Sequence, residues 1–229
     1  MLDIRVHRTI LLQILKDIYT DISISSTLGF KGGTACHFFY DLPRFSVDLD
    51  FDLLDSNKEK IVFEKIEKIL RNYGQLKERR DKRYTLFFIL SYGKEAQNIK
   101  VEISKRTFGS SYEIKNYLGI SMLVMEKEDL FAHKLVTLLE RKGPANRDLF
   151  DFWFFLKNNW GINKEMVEKR TGQELEKYLK KCLGFIEKVS EKHLLAGMGE
   201  LLDKKTKDWA KKNLKKDLLF LLKLKSENL

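Results

Sequence analysis

The chain has 229 residues, 43% of them hydrophobic, and a formal net charge of +10 at pH 7. It can bury a core as one large domain or two small ones. No run approaches the roughly 18 apolar residues that a membrane span requires, and charges interrupt the apolar positions of the N-terminus, which excludes a signal peptide there.

The basic balance favours polyanionic partners such as nucleic acid or nucleotides; lysines solvated on helix faces are the plainer alternative. Cys36 and Cys182 lie far apart in the chain. With no secretory signal, both are expected to be reduced, buried thiols of a cytoplasmic protein.

In chain order, residues 5–22 have helical spacing, with Val6, Ile10, Leu11, Ile14, Leu15 and Ile18 as the apolar stripe. "TLGFKG" reads as a short strand ending in glycine. Gly33 or Thr34 then opens a helix to about Tyr40, closed by "DLPR". "SVDLDFDLL" alternates with period two and predicts a strand. Asp55 and Ser56 are candidate N-caps for a helix over 57–73. "RRDKRYTLFFILSYG" and "NIKVEISKR" predict a pair of strands joined by "YGKEAQ", and "GISMLVM" a further short one.

After Met125 the texture becomes helical. "EKEDLFAHKLVTLLERK" predicts a helix stopped by Gly143 and Pro144, and "NRDLFDFWFFLKNN" a second one capped by Asn146. The expected organisation is α+β, with an α+β domain over 1–125 and a helical domain over 126–229. Residues 204–225 carry nine lysines and two aspartates. Trp209, Leu214, Leu218 and Leu221 there mark a packed face opposite a basic one that includes Lys211, Lys212, Lys215 and Lys216.

The chemistry concentrates in "FKGGTACHFFYDLPRFSVDLDFDLL". On a strand, Asp48 and Asp50 share a face with Cα atoms roughly 6.5 Å apart, close enough to converge on one hard divalent cation. Val47, Leu49 and Phe51 would face the core. Asp52, one pair further on, is expected to be solvated or hydrogen-bonded. A strand–Gly32–Gly33–helix turn lets a phosphate approach the backbone and meet free N–H groups, with the Thr34 hydroxyl as a further contact. Glycine pairs are commonly just turns; a Gly-Gly-Thr followed by Asp-x-Asp is far more specific. His37 and His133 show no metal-ligand spacing.

"KGGTACHFFYDLPRFSVDLDF" resembles the signature of the AbiEii/AbiGii-type nucleotidyltransferases, toxins of type IV toxin–antitoxin and phage-defence systems with a DNA-polymerase-β-like core. "EKEDLFAHKLVTLLERKGPANRDLFDFWFFL" resembles the family's Lys-containing helix followed by an Arg-Asp-x-x-Asp helix. The resemblance spans roughly residues 5–160.

It implies a polymerase-β-like mixed sheet flanked by helices, followed by a helical half. It also implies an NTP substrate, Mg²⁺ (or Mn²⁺) as cofactor and a cognate antitoxin. Carried over by position, Gly32 and Gly33 form the nucleotide-cradling turn, Thr34 takes the hydroxyl role, and Asp48 and Asp50 bind metal. Lys134 and Asp148 match positions implicated in activity. Arg44 and Ser46 order the loop beside the metal, Ser46 on the nucleotide side.

Glu102 in "IKVEIS" is the candidate third carboxylate, an ordinary solvated glutamate being the alternative. Lys134, among Leu130, Phe131, Leu135 and Leu138, would by itself be read as snorkelling to solvent; the resemblance favours contact with nucleotide phosphates. Asp148 and Asp151 share a helix face, where one either positions Lys134 or Arg147 or belongs to a structural ion-pair network. The acceptor expected from charge and resemblance is RNA, such as the tRNA 3′ end. A protein acceptor, or a nucleotide- or RNA-binding module without catalysis, are the alternatives.

Overall fold

The computed structural model describes residues 2–94, 96–141 and 146–227. The helix stop expected at Gly143 and Pro144, and Glu95 of the "YGKEAQ" turn, lie outside the described residues. The chain forms two compact units. The first comprises Met1–Asp41, Phe45–Thr107 and Ser111–Met125; the second comprises Glu126–Leu229 with the short segments Leu42–Arg44 and Phe108–Ser110.

The first unit is built on a mixed seven-stranded sheet. Its strands are β1 (Leu28–Lys31), β2 (Leu49–Leu53), β3 (Gln75–Lys82), β4 (Thr85–Ser91), β5 (Ile99–Ser104), β6 (Tyr112–Tyr117) and β7 (Ile120–Met125). Their spatial order is β3-β4-β5-β2-β1-β7-β6. The pairs β1–β7 and β2–β5 are parallel, and the others antiparallel. Three helices accompany it: α1 (Ile4–Thr20), α2 (Gly32–Phe39) and α3 (Glu59–Arg71).

Asp3 caps α1 by accepting from the Arg5 and Val6 backbone N–H groups. Leu11, Ile14, Leu15 and Ile18 are fully buried, as their spacing predicts. Val6 is not part of that stripe; it is exposed, and His7 is buried in its place. One sheet face is apolar and packs on the helices: Phe51 lies beside Tyr19 of α1, and Phe88 beside Phe63 of α3. Alternation along β5 buries Ile99, Val101 and Ile103 on that face and turns Lys100 and Glu102 to the other.

The strand assignments differ from expectation in three places. Residues 79–93 are not one strand: β3 and β4 form a hairpin that turns at Arg83–Tyr84. β6 is not among the strands expected from the sequence. Both β3 and β6 end the sheet and are largely exposed, so neither carries the apolar alternation that marks a half-buried strand. β2 begins at Leu49, so Ser46, Val47 and Asp48 precede the strand without ladder pairing.

The second unit is helical: α4 (Lys127–Glu140), α5 (Asn146–Lys157), α6 (Lys164–Thr171), α7 (Leu175–Glu187) and α8 (Lys204–Glu227). Its core is aromatic. Phe155 stacks on Trp160 with ring centroids 4.2 Å apart, and Trp153 meets Trp209 at 4.3 Å. Gly172 ends α6 in the left-handed conformation at φ +65°. The buried stripe of α8 is Ala210, Leu214, Leu218 and Leu222. Trp209 and Leu221 flank it rather than define it, because a helix repeats every 3.6 residues and four-residue steps drift slowly round its axis.

Candidate active site

The glycine turn joins β1 to α2. Gly32 has φ +79°, a conformation that favours glycine, and a Cβ there would lie 2.4 Å from Asp50 Oδ2 and 2.9 Å from Asp50 Cβ. The missing side chain is therefore the space in which the Asp50 carboxylate lies. No side chain caps the start of α2. The Thr34 hydroxyl donates to the backbone carbonyl of Asp48. Thr34 is fully buried, so this hydroxyl ties the turn to the aspartate segment.

A second tie reaches the same segment from α1. His7 Nε2 lies 2.9 Å from the carbonyl of Val47, and Nδ1 lies 2.7 Å from the Tyr92 hydroxyl. A carbonyl only accepts, so Nε2 carries the proton and Nδ1 accepts from Tyr92. Burial holds the imidazole pKa below its ordinary value, against the Val47 carbonyl and the Asp48 charge, which push it up. Thr34 and His7 thus fix successive carbonyls, of Asp48 and Val47.

The polar sheet face gathers four carboxylates and two ammonium groups. Asp50 is opposite Lys31 of β1 and Glu102 of β5. Asp52 is buried, accepting from Lys31 Nζ at 2.5 Å and from the Tyr112 hydroxyl at 2.6 Å, so it is hydrogen-bonded, one of the two states expected of it. The Asp48 carboxylate accepts from the Lys100 backbone N–H at 3.3 Å. Lys100 Nζ is 2.8 Å from Glu102 Oε2 and 3.8 Å from Asp48 Oδ2.

Burial raises the Asp50 pKa above the usual carboxylate range. Lys100 opposes that shift, Asp48 and Glu102 add to it, and Lys31 opposes it. Burial also disfavours the Lys100 ammonium, but Asp50, Glu102 and Asp48 together outweigh this and raise its pKa. With all six groups charged, two negative charges remain uncompensated. Among the described residues no group of three or more His, Cys, Asp or Glu side chains is already gathered as a metal site. Ser46 is buried beside the aspartate segment in sequence.

In the second unit Arg44 forms a two-pronged pair with Asp151, Nε to Oδ1 at 2.5 Å and NH2 to Oδ2 at 2.6 Å. Lys134 Nζ bridges Asp148 at 2.8 Å and Asp151 at 2.9 Å, and Arg141 meets the other Asp148 oxygen at 2.8 Å. Three cations share two carboxylates. For Lys134, desolvation lowers the pKa, but Asp151 and Asp148 overcome it and raise the value. For Asp151, desolvation is overcome by Arg44 and Lys134, and the pKa is lowered. His133 accepts from Arg170 at Nδ1 and donates to Ser110 from Nε2, leaving neither nitrogen for a metal.

Sequence reasoning singled out Gly32, Gly33, Thr34, Asp48, Asp50 and Glu102, and the first unit brings these together. It placed Lys134, Asp148 and Asp151 on neighbouring helices, and in the second unit Lys134 itself bridges the two aspartates, with Arg44 as a further partner of Asp151. It missed His7 and Lys100. Both had a signal: His7 is four residues before Leu11 on the apolar stripe, and Lys100 alternates with Val101 on the face of Glu102.

Both cysteines are free and buried, and burial pushes the Cys182 thiol up to about 12. No described helix is long and apolar enough to cross a membrane.

The chain is similar over 98% of its length to the crystal structure of a candidate nucleotidyltransferase from H. pylori, with TM-score 0.66, 22% identity and 95% of that chain covered. It is similar over 99% of its length to JHP933 from Helicobacter pylori, with TM-score 0.64, 20% identity and 93% of that chain covered. These likenesses establish the fold. No curated protein matches. The family model for the nucleotidyl transferase AbiEii toxin of type IV toxin–antitoxin systems matches residues 13–221. Nearly the whole chain lies within that match, and the protein belongs to the AbiEii nucleotidyltransferase toxin family.

Proposed function

We propose that the protein transfers a nucleoside monophosphate from an NTP to the hydroxyl of an RNA acceptor, forming a phosphodiester and releasing pyrophosphate, using Mg²⁺ held by Asp48 and Asp50. Family membership implies an NTP substrate and an antitoxin partner. The observation that carries the metal reading is the Asp50 carboxylate, set into the space above Gly32 with its ionised form disfavoured by burial and by two carboxylate neighbours. An all-oxygen donor set with surplus negative charge suits a hard divalent cation. Asp48 and Asp50 would hold it, with Glu102 as a further oxygen donor. Such an ion stabilises the attacking and leaving oxygens of phosphoryl transfer.

The chain's own residues supply placement. Gly32 and Gly33 let the triphosphate approach the backbone at the uncapped start of α2. Thr34 and His7 hold the Asp48 segment by its carbonyls. Ser46 belongs to the same segment and orders the nucleotide side. In this reading residues 1–125 make up the catalytic core domain and residues 126–229 the helical domain. There the carboxylates of Asp148 and Asp151 hold the Lys134 ammonium.

RNA as acceptor, for instance a tRNA 3′ end, is supported by the +10 charge and by exposed lysines of α8. The test is incubation with each α-labelled NTP, Mg²⁺ and total RNA, followed by separation of RNA from protein. Label on RNA that disappears with Asp48→Asn is the expected result. Label on protein, or none with any NTP, overturns it.

A further inference from the structure

We propose that Lys100 is a built-in cation of the carboxylate cluster, which holds Asp48 and Glu102 in register before a divalent ion is bound and then turns onto the nucleotide's triphosphate. The inference rests on the reading of Asp48 and Asp50 as metal ligands.

Parallel pairing of β2 with β5 sets Leu49 beside Val101 and Asp50 beside Glu102, and Asp48, just before the ladder, meets Lys100 through the hydrogen bond from the Lys100 backbone N–H to its carboxylate at 3.3 Å. Asp48, Asp50, Lys100 and Glu102 therefore gather in one small square of side chains, tied by the ladder at Asp50–Glu102 and by the hydrogen bond at Asp48–Lys100. Lys100 spans it, with Nζ 2.8 Å from Glu102 and 3.8 Å from Asp48. Its backbone N–H also holds the Asp48 carboxylate. Lys100 thus has two separable roles. The backbone contact persists whatever the side chain does, whereas the ammonium sits on four methylene groups that can swing.

Electrostatics gives the order of events. Without the ammonium, three carboxylates within one square would repel one another and splay. With it, the square is held together, but a divalent ion has to compete with a charge already in place. Lys100 leaves the carboxylates as they take the divalent ion, because the ion and the ammonium repel. A triphosphate arriving with the ion offers the ammonium a new set of anionic oxygens. Binding of metal and nucleotide is then coupled through one side chain: metal alone binds weakly, and metal with NTP binds well. Lys31 is not available for this exchange, since Asp52 holds its ammonium at 2.5 Å.

The test is Mn²⁺ binding by the intact protein, read from the free-ion electron paramagnetic resonance signal, with and without a non-hydrolysable NTP analogue. Lys100→Met should bind Mn²⁺ alone at least several-fold more tightly than the wild type, and should lose most of the gain in Mn²⁺ affinity that the analogue confers. Lys100→Arg, which keeps the charge, should bind Mn²⁺ alone as weakly as the wild type. Melting curves check folding, and Mn²⁺ should raise the Tm of Lys100→Met more than that of the wild type.

Equal or weaker Mn²⁺ affinity in Lys100→Met, with an unchanged effect of the analogue, overturns the proposal. Asp50→Asn separates the two failures. If it abolishes Mn²⁺ binding while Lys100→Met changes nothing, the role of Lys100 alone falls. If Asp50→Asn binds Mn²⁺ as the wild type does, the metal reading falls with it.

Discussion

Gly32 and Asp50 occupy one another's space: the position a Cβ would take on Gly32 is 2.4 Å from an oxygen of the Asp50 carboxylate. The glycine serves the aspartate as directly as it serves the turn. Gly32→Ala should therefore displace Asp50 as well as strain a backbone at φ +79°. Misplacement of a reacting constellation by about 1 Å costs on the order of 100-fold in rate, and the left-handed backbone costs about 1–2 kcal/mol. Transfer rate and denaturant midpoint, measured together, should show a loss of activity beyond what the lost stability explains.

The three aspartates should separate by readout. Asp48→Asn and Asp50→Asn should abolish nucleotidyl transfer with the fold intact, and in chelator Asp50→Asn should melt no lower than the wild type, because a disfavoured charge is removed. Asp52→Asn should act mainly on stability, since it strips the buried partner of Lys31 and weakens the Tyr112 contact. Melting temperature and transfer rate on all three variants check this; a stable, inactive Asp52→Asn would place that residue among the ligands.

The ion pair of Arg44 and Asp151 is buried on both sides. Breaking such a pair by removing one partner costs about 3–5 kcal/mol. Asp151→Asn should lose that much near neutral pH and leave Lys134 more mobile. The Asp151 pKa is lowered in the fold, so its contribution is present above the unfolded value near about 3.9 and fades as pH falls through the folded value. Urea unfolding from pH 7 down to pH 2 should show the gap between wild type and variant closing only at the acid end.

His7 reports on the Val47–Asp48 backbone. Its pKa is lowered by burial, so the neutral form stabilises the fold above the unfolded value of about 6.5 and stability falls as pH drops through the folded value. His7→Phe keeps the ring volume but removes the donor to Val47. It should flatten that pH dependence and slow transfer by on the order of 10- to 100-fold through the shifted Asp48 segment. Unfolding curves between pH 4 and 8, with rates at pH 8, provide the check.

On α8, Lys211, Lys212 and Lys216 are exposed, whereas Lys215 donates to the carbonyls of Glu187 and Val189. Replacing the three exposed lysines with glutamine should weaken RNA binding, with a salt slope shallower by about 0.7–0.9 for each phosphate that the variant no longer neutralises. NTP affinity should not change. Lys215→Gln should instead lower the melting temperature. Filter binding over a range of salt distinguishes phosphate binding from a merely solvated face.

The local pattern determined much of this protein by itself. Apolar spacing marked α1, because one buried face on a 3.6-residue period leaves a readable stripe, and cap and stop residues marked α3, α4 and α5. Glycine beside glycine, and aspartate alternating with apolar residues, marked the turn and the carboxylates, because φ +79° favours glycine and residues two apart on a strand share a face.

Tertiary structure decided what depends on distant partners. β3 and β6 exist because β4 and β7 offer ladder hydrogen bonds, not because of their own alternation. Arg44 and Asp151 meet across 107 residues, and His7 reaches Val47 across 40. The Thr34 hydroxyl serves the Asp48 carbonyl because the fold sets them together. Lys100 is one lysine among many in the sequence. Parallel pairing of β2 with β5 puts Glu102 opposite Asp50, and the segment leading into β2 brings Asp48 within reach, so that Lys100 becomes the cation between Asp48 and Glu102.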